Sequence, residues 1–356
     1  MKDVPALGIR PDGTYETVPL RSDQIAIGVV QTQAIGIDGE NPAPGLQSNL
    51  AAMLSAIDKA QQYGGRCDLL CFHEFPLQGY RLHWGRKESL RVAIEVPGPE
   101  VMAIAAKAKQ YNCYVTFGCL ARDEANWPGH VFNWQVMVGP NGELIDVHWK
   151  QRNVRGMFPG SENLTTTIYD VFEAYVERYG WDRVIPVART DIGNIAMSAV
   201  QFEQELFRCM AIKGAEIICR VATGGCEWED MRLTSYHNSV YTTLVNNSLN
   251  TGGGNPDFFE ETASKNGWVG RSAIFAPRGE VLAEAGPFET RRRAVINMKE
   301  FRARHRLPDV HVSLYNHVFQ QYRERYDPGM FAKQLPETKV EAYKQFQQSA
   351  RWVHYW

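Results

Sequence analysis

A chain of 356 residues is long enough for one large domain or two ordinary ones, and its make-up, 44% apolar and 22% charged, is that of a globular protein. A net charge of −2 leaves no basic excess to neutralise phosphates, which argues against nucleic acid as a partner. No apolar run approaches the roughly 18 residues of a membrane span, and "MKDVPALGIRPDGTYE" lacks the apolar centre of a signal peptide, so a cytoplasmic protein with no membrane partner is expected.

Taken in chain order, "QIAIGVVQ" (24–31) reads as a strand and "LQSNLAAMLSAIDKAQQYG" (46–64) as a helix ending at Gly64. "CDLLCFHEF" (67–75) reads as a strand, and "PEVMAIAAKAKQYN" (99–112) as a helix with proline in its first turn. Strands follow at 113–120, 131–138 and 143–149, the last two joined through Asn-Gly as a hairpin. Residues 161–190 read as an insertion carrying its own helix or a lid hairpin. Strands are expected at 194–200 and 215–222, a helix at 235–250, then strands at 270–277 and 293–298, with "FAPRGEVLAEAG" as a second hairpin. Residues 1–301 thus form one alternating α/β unit, two sheet layers covered outside by helices. Residues 302–356 form a C-terminal extension that wraps a neighbour or the chain's own core.

Chemistry-bearing residues cluster at strand ends. Glu74 follows an apolar strand and precedes Pro76 and Gly79, where α/β sheets place ligands; the competing reading is a surface ion pair. Lys150 ends a hairpin strand behind Val147 and Trp149, placed to stabilise an oxyanion or simply exposed, while His148 alternates to the other face as a structural residue. A strand–elbow–helix unit at Ser198-Ala199-Val200 is expected to hold a side chain in the open and aim N–H groups at an anion. A cysteine there, with Glu74 as base, would make an amide-cleaving thiolate, yet the seven cysteines all lie elsewhere. Most read as reduced core thiols. Cys226 follows another strand, either facing the same cleft or incidental. No CxxC, GxSxG, GxGxxG, P-loop or HExxH motif is present, so neither a metal nor a cofactor is implied, and "TGGGNP" (251–256) reads as a turn.

"CFHEFPLQGY", "NGELIDVHWKQRN" and "ELFRCMAIKGAEIICR", in that order, resemble the glutamate, lysine and post-cysteine motifs of the nitrilase superfamily of carbon–nitrogen hydrolases. Glu205, Arg208 and the tail "YNHVFQQYRERY" are most similar to its aliphatic amidase branch. The resemblance implies a four-layer α-β-β-α sandwich, Glu74 as general base, Lys150 as oxyanion stabiliser, and no metal or organic cofactor. It also implies a homo-oligomer, with the C-terminal extension as its arm, and a small amide as substrate. Counting back from Glu205 places the family's cysteine at Ser198; counting forward from "TDIGNIA" places it at Val200. Neither position holds cysteine, and Gln201, Phe202, Glu203 and Gln204 replace the residues that usually follow it. Glu162, twelve residues after Lys150, is the nearest match to the family's second glutamate. Three readings remain: an amidase whose nucleophile was substituted, a naturally cysteine-less ligand-binding or scaffold protein, and an unrelated α/β protein with chance matches. Aromatic residues of "RLHWGR" (81–86) and of 162–181 are candidates for a pocket lining or for core.

Overall fold

The computed structural model describes residues 7–155, 163–249 and 269–352. Apolar strands and amphipathic helices alternate as the periodicities require, and they stack in four layers. The first sheet holds β1 (Gln24–Gln31), β2 (Leu69–Cys71), β3 (Ile94–Glu95), β4 (Tyr114–Arg122), β5 (Phe132–Val138), β6 (Leu144–Trp149) and β13 (Thr290–Asn297). Their order is β13-β1-β2-β4-β5-β6, with β3 on the end of β4. The second holds β7 (Ala188–Thr190), β8 (Gly193–Ser198), β9 (Ile217–Val221), β10 (Tyr241–Val245), β11 (Ala273–Phe275) and β12 (Val281–Glu284), ordered β12-β11-β10-β9-β8-β7.

Alternation along each strand decides which layer a side chain joins. Ile25, Ile27, Val29, Leu69 and Cys71 face Ile195, Met197, Ile217 and Cys219 between the two sheets. On the other side of the first sheet, Val30, Leu70, Val115 and Phe117 meet Met53 and Ile57 of α1 (Pro42–Gln62) and, past the short α2 (Arg86–Val92), Val101 and Ile104 of α3 (Pro99–Tyr111). Behind the second sheet, α5 (Gln204–Ile212) lays Leu206, Phe207 and Met210 on Ala196 and Ile218, and α6 (Trp228–Asn238) lays Met231 on Leu244 and Phe275. The result is an α-β-β-α sandwich. Each fully buried branched side chain in it contributes roughly 1.5–3 kcal/mol.

β1, β2 and β4 run parallel, as do β8, β9 and β10, so within each sheet the loops leaving these strands gather at one end. One expected element is different. The helix predicted over 235–250 is the last turn of α6 followed by β10. Ser239 takes a left-handed conformation (φ 53°) that stops the helix, and the β-branched, aromatic run "VYTTLV" then pairs in parallel with β9. The segment 251–256 lies outside the described residues.

Between β6 and β7, α4 (Phe172–Tyr179) covers Trp149 through Tyr175 and Tyr179. After β13 come α7 (Met298–Arg304), α8 (Asn316–Gln321), α9 (Met330–Lys333) and α10 (Lys339–Ser349). Tyr326, Phe331, Ala342 and Phe346 join the same apolar cluster as Phe132, Trp134 and Trp149. The stretch 311–324 is instead exposed throughout, including Leu314 and Phe319.

Candidate functional site

Glu74 and Lys150 come from the loops that leave β2 and β6. Lys150 Nζ lies 3.0 Å from Glu74 Oε1, and Asn133 Nδ2 donates to the same oxygen at 2.6 Å. Gln135 Nε2 donates to Asn133 Oδ1 at 3.2 Å, which fixes the amide so that its NH2 faces Glu74. All these side chains are buried or nearly so, hence their charge–charge and charge–dipole contacts act in a poorly screened environment. Both donors sit on Oε1, and Oε2 takes no hydrogen bond from the described residues.

The local backbone explains how Glu74 gets there. After β2 the chain runs beside β4, with Phe72 N–H bonded to Thr116 O and Gly118 N–H to His73 O. A Cβ at Gly118 would stand 2.2 Å from Glu74 O and 2.8 Å from its Cα, so only glycine lets the two backbones meet. His73 is fully buried; its Nδ1 accepts from Phe75 N–H, and Nε2 bonds Thr32 Oγ1 at 3.0 Å. Burial holds that imidazole neutral, with its pKa lowered to about 3. Lys150 is fixed by its own N–H on Asn133 O, and its carbonyl accepts from Ile168.

The elbow is joined to this pair through the two residues after Lys150. Ser198 Oγ donates to Gln151 Oε1 at 3.0 Å, and Arg152 bonds the carbonyls of Gln201 and Phe202 and the carboxylate of Glu203. Contrary to expectation, none of the three elbow positions stands in the open: Ser198, Ala199 and Val200 are all buried. Val200 packs in the outer cluster with Leu206 and Phe207, because the chain leaves β8 in regular register and turns toward α5. The residue that takes the left-handed conformation is Phe202 (φ 57°). Two of the elbow N–H groups are also engaged within the fold: Val200 N–H by Ser198 Oγ (3.1 Å) and Phe202 N–H by Asp230 Oδ2 (3.3 Å). Arg220, fully buried, donates to Val200 O and to Asp230, and stacks 4.0 Å over Phe207. Regular β8 and regular α5 leave residues 199–203 as the place where the two-residue spacing discrepancy falls.

His148 lies beside the elbow but does not serve it. Its Nδ1 accepts from Met197 N–H at 3.1 Å, which leaves Nε2–H for Asp146 at 3.2 Å, so no imidazole nitrogen is left to take a proton from Ser198. Burial would raise the Asp146 pKa, yet hydrogen bonds from His148 and Arg183 outweigh it and hold that carboxyl well below the usual range. Cys226 is not in the cleft: it packs with Trp228 against Ala222, Leu244 and Phe275 on the outer face of the second sheet, and burial pushes its thiol up to about 12. Glu205 lies at the surface beside Phe202 and Asp230, and Arg208 caps α6 through His237 O. Glu162 lies outside the described residues.

A family model for carbon–nitrogen hydrolases matches residues 26–303. The chain belongs to the carbon–nitrogen hydrolase family. Chance resemblance is thereby excluded. Among relatives of this carbon–nitrogen hydrolase, the omega-amidase NIT2 of Bos taurus is 25% identical over 286 residues, 77% of this chain and 89% of that one. A carbon–nitrogen hydrolase from Helicobacter pylori G27 shares the fold with a TM-score of 0.64 at 17% identity, over 84% of this chain and 99% of the other. An amidase from Nesterenkonia sp. does so with a TM-score of 0.58 at 13% identity, over 83% and 96%.

Sequence reading missed Asn133, Gln151, Arg152 and Gly118. Asn133 and Gly118 carried a signal: a polar residue and a glycine, each inside a strand of otherwise apolar character. Among the described residues no cluster of three or more His, Cys, Asp or Glu is arranged to hold a metal, and no helix is long and apolar enough to cross a membrane.

Proposed function

We propose that this carbon–nitrogen hydrolase homologue binds a small amide at Glu74 and Lys150 and does not turn it over through a thioester. The observation that carries the reading is the contrast between an assembled Glu74–Lys150–Asn133 cluster and an elbow with no sulfur. Glu74 Oε2 accepts an amide N–H, and Lys150, which spends one donor on Glu74, offers another to the carbonyl oxygen. The omega-amidase relative points to a terminal carboxamide as the ligand class. Calorimetric titration with a simple aliphatic amide and with the monoamide of a dicarboxylic acid tests the reading. Binding that Lys150→Met weakens at least tenfold supports it; ammonia release by the unaltered chain overturns it.

A second reading, an amidase whose nucleophile has been replaced, draws support from one contact. The side chain of Ser198 is bonded to Gln151, the residue after Lys150, which supports position 198 as the place for a sulfur.

The exposed stretch 311–324, with Leu314, Val318, Phe319 and Tyr322 in solvent, supports its use as a contact between copies of the chain; light scattering on wild type and a Leu314→Ser/Phe319→Ser variant reads this out. All seven cysteines are free, which supports a reducing, cytoplasmic setting.

A further inference from the structure

The C-terminal extension reaches both loops that carry the candidate site, and one hydroxyl joins it to the two at once. Lys339, the first residue of α10, is buried, and its Nζ donates to Tyr80 Oη at 2.6 Å while lying 4.6 Å from the centre of that ring. Tyr80 Oη donates in turn to Asn163 Oδ1 at 3.1 Å. Tyr80 is six residues past Glu74 and stacks at 6.0 Å on Phe75, the neighbour of Glu74. Asn163 O accepts from Arg155 Nη1 at 2.6 Å, and Arg155 is five residues past Lys150. The extension grips Arg155 as well. Its guanidinium lies 4.9 and 4.5 Å from the ring centres of Phe331 and Phe346, and its carbonyl accepts from Tyr326 Oη and Arg325 Nη1.

The placement of Lys339 is not what α10 by itself favours. Its start is capped by Thr338 with Glu341 at the third position, and the next site is where the helix dipole disfavours a cation. A buried ammonium is also dearer than a buried aliphatic chain of the same length. Neither feature serves helix formation, whereas both bring a cationic donor to Tyr80.

We propose that Lys339 is a positioning residue: through Tyr80 it sets the loop after Glu74 against the loop after Lys150, so that the C-terminal extension tunes ligand binding without touching the ligand. The effect on affinity rests on the proposed function; the positioning itself does not. The test compares Lys339→Met, Lys339→Arg, Tyr80→Phe and Lys339→Met/Tyr80→Phe with wild type in two measurements. Backbone hydrogen exchange without ligand is expected to rise in Lys339→Met over 75–84 and 163–168, with Lys339→Arg close to wild type. Exchange that changes only within α10, or nowhere, overturns the proposal. Affinity for the monoamide is expected to drop about tenfold in Lys339→Met, out of step with any change in melting temperature across the series. The double variant is expected to lose no more than either single one. Additive losses, or a loss that follows the melting temperature across the series, overturn it too. If wild type binds no amide while exchange rises in both loops, the proposed ligand class is wrong and the positioning role stands.

Discussion

Lys150 and Glu74, 76 residues apart in sequence, share a hydrogen bond of 3.0 Å in a site where both side chains are close to nine-tenths buried. A charge pair in that setting is costly to break from one side, because the survivor keeps its desolvation penalty. Lys150→Met is therefore expected to lower folding stability by about 3 kcal/mol. Glu74→Gln, whose amide oxygen still accepts from Asn133 and Lys150, is expected to cost about 1 kcal/mol. Urea midpoints of the two variants and the double variant measure this, and the double variant is expected to be more stable than Lys150→Met alone.

Cysteine placed singly at 198, 199 or 200 is expected to leave the chain without ammonia release from simple amides. Val200 points into the outer layer, the N–H groups of Val200 and Phe202 are spent on Ser198 and Asp230, and His148 is committed to Met197 and Asp146. A sulfur alone therefore meets an elbow in which two of the N–H donors are already engaged. Ammonia release by any one of the three variants favours the substituted-amidase reading, and Ser198→Cys is the variant in which it would first be seen.

Gly118→Ala is expected to destabilise by about 2–3 kcal/mol and to weaken amide binding with it. The added carbon meets the backbone of Glu74 at 2.2 Å, and backbone has no rotamer to escape into. Thermal melts and titration of the same preparation check both halves. A variant with native stability and native affinity would mean that β4 and the Glu74 loop separate more easily than their hydrogen bonds indicate.

Acid is expected to unfold the protein partly through His73. Its pKa is lowered by burial to about 3 in the fold, against an ordinary value near 6.5 when unfolded. Between those values the unfolded chain binds the proton and the native state does not, so stability rises with pH across that window and is fully present above it. The group contributes about 1.4 kcal/mol per pH unit. Denaturant titrations between pH 7 and pH 5 are expected to show a shallower loss in His73→Gln than in wild type.

The layers of the fold were legible because their signal is local: two-residue alternation in the strands, apolar faces on α1 and α3, and glycine turns in both hairpins. The exception, 235–250, shows the limit. Its apolar residues fit either period, and only the left-handed Ser239 and the waiting edge of β9 decide for a strand. Glu74 and Lys150 were legible as strand-end polar residues in recognisable motifs. The elbow was legible as a departure but not as a structure. That Arg152, Arg220 and Asp230 occupy its carbonyls and N–H groups depends on residues 20 to 51 positions away in pairings no local pattern announces.

The match to the family ends at residue 303, yet Tyr326, Phe331 and Phe346 are packed in the same cluster as Phe132, Trp134 and Trp149. The unit defined by descent is thus smaller than the unit that folds. A gene fragment trimmed to the family boundary would uncover an aromatic floor beside the Lys150 strand and would leave Arg155 without the two rings it lies over. Expression of such a fragment is a question of aggregation before it is a question of activity.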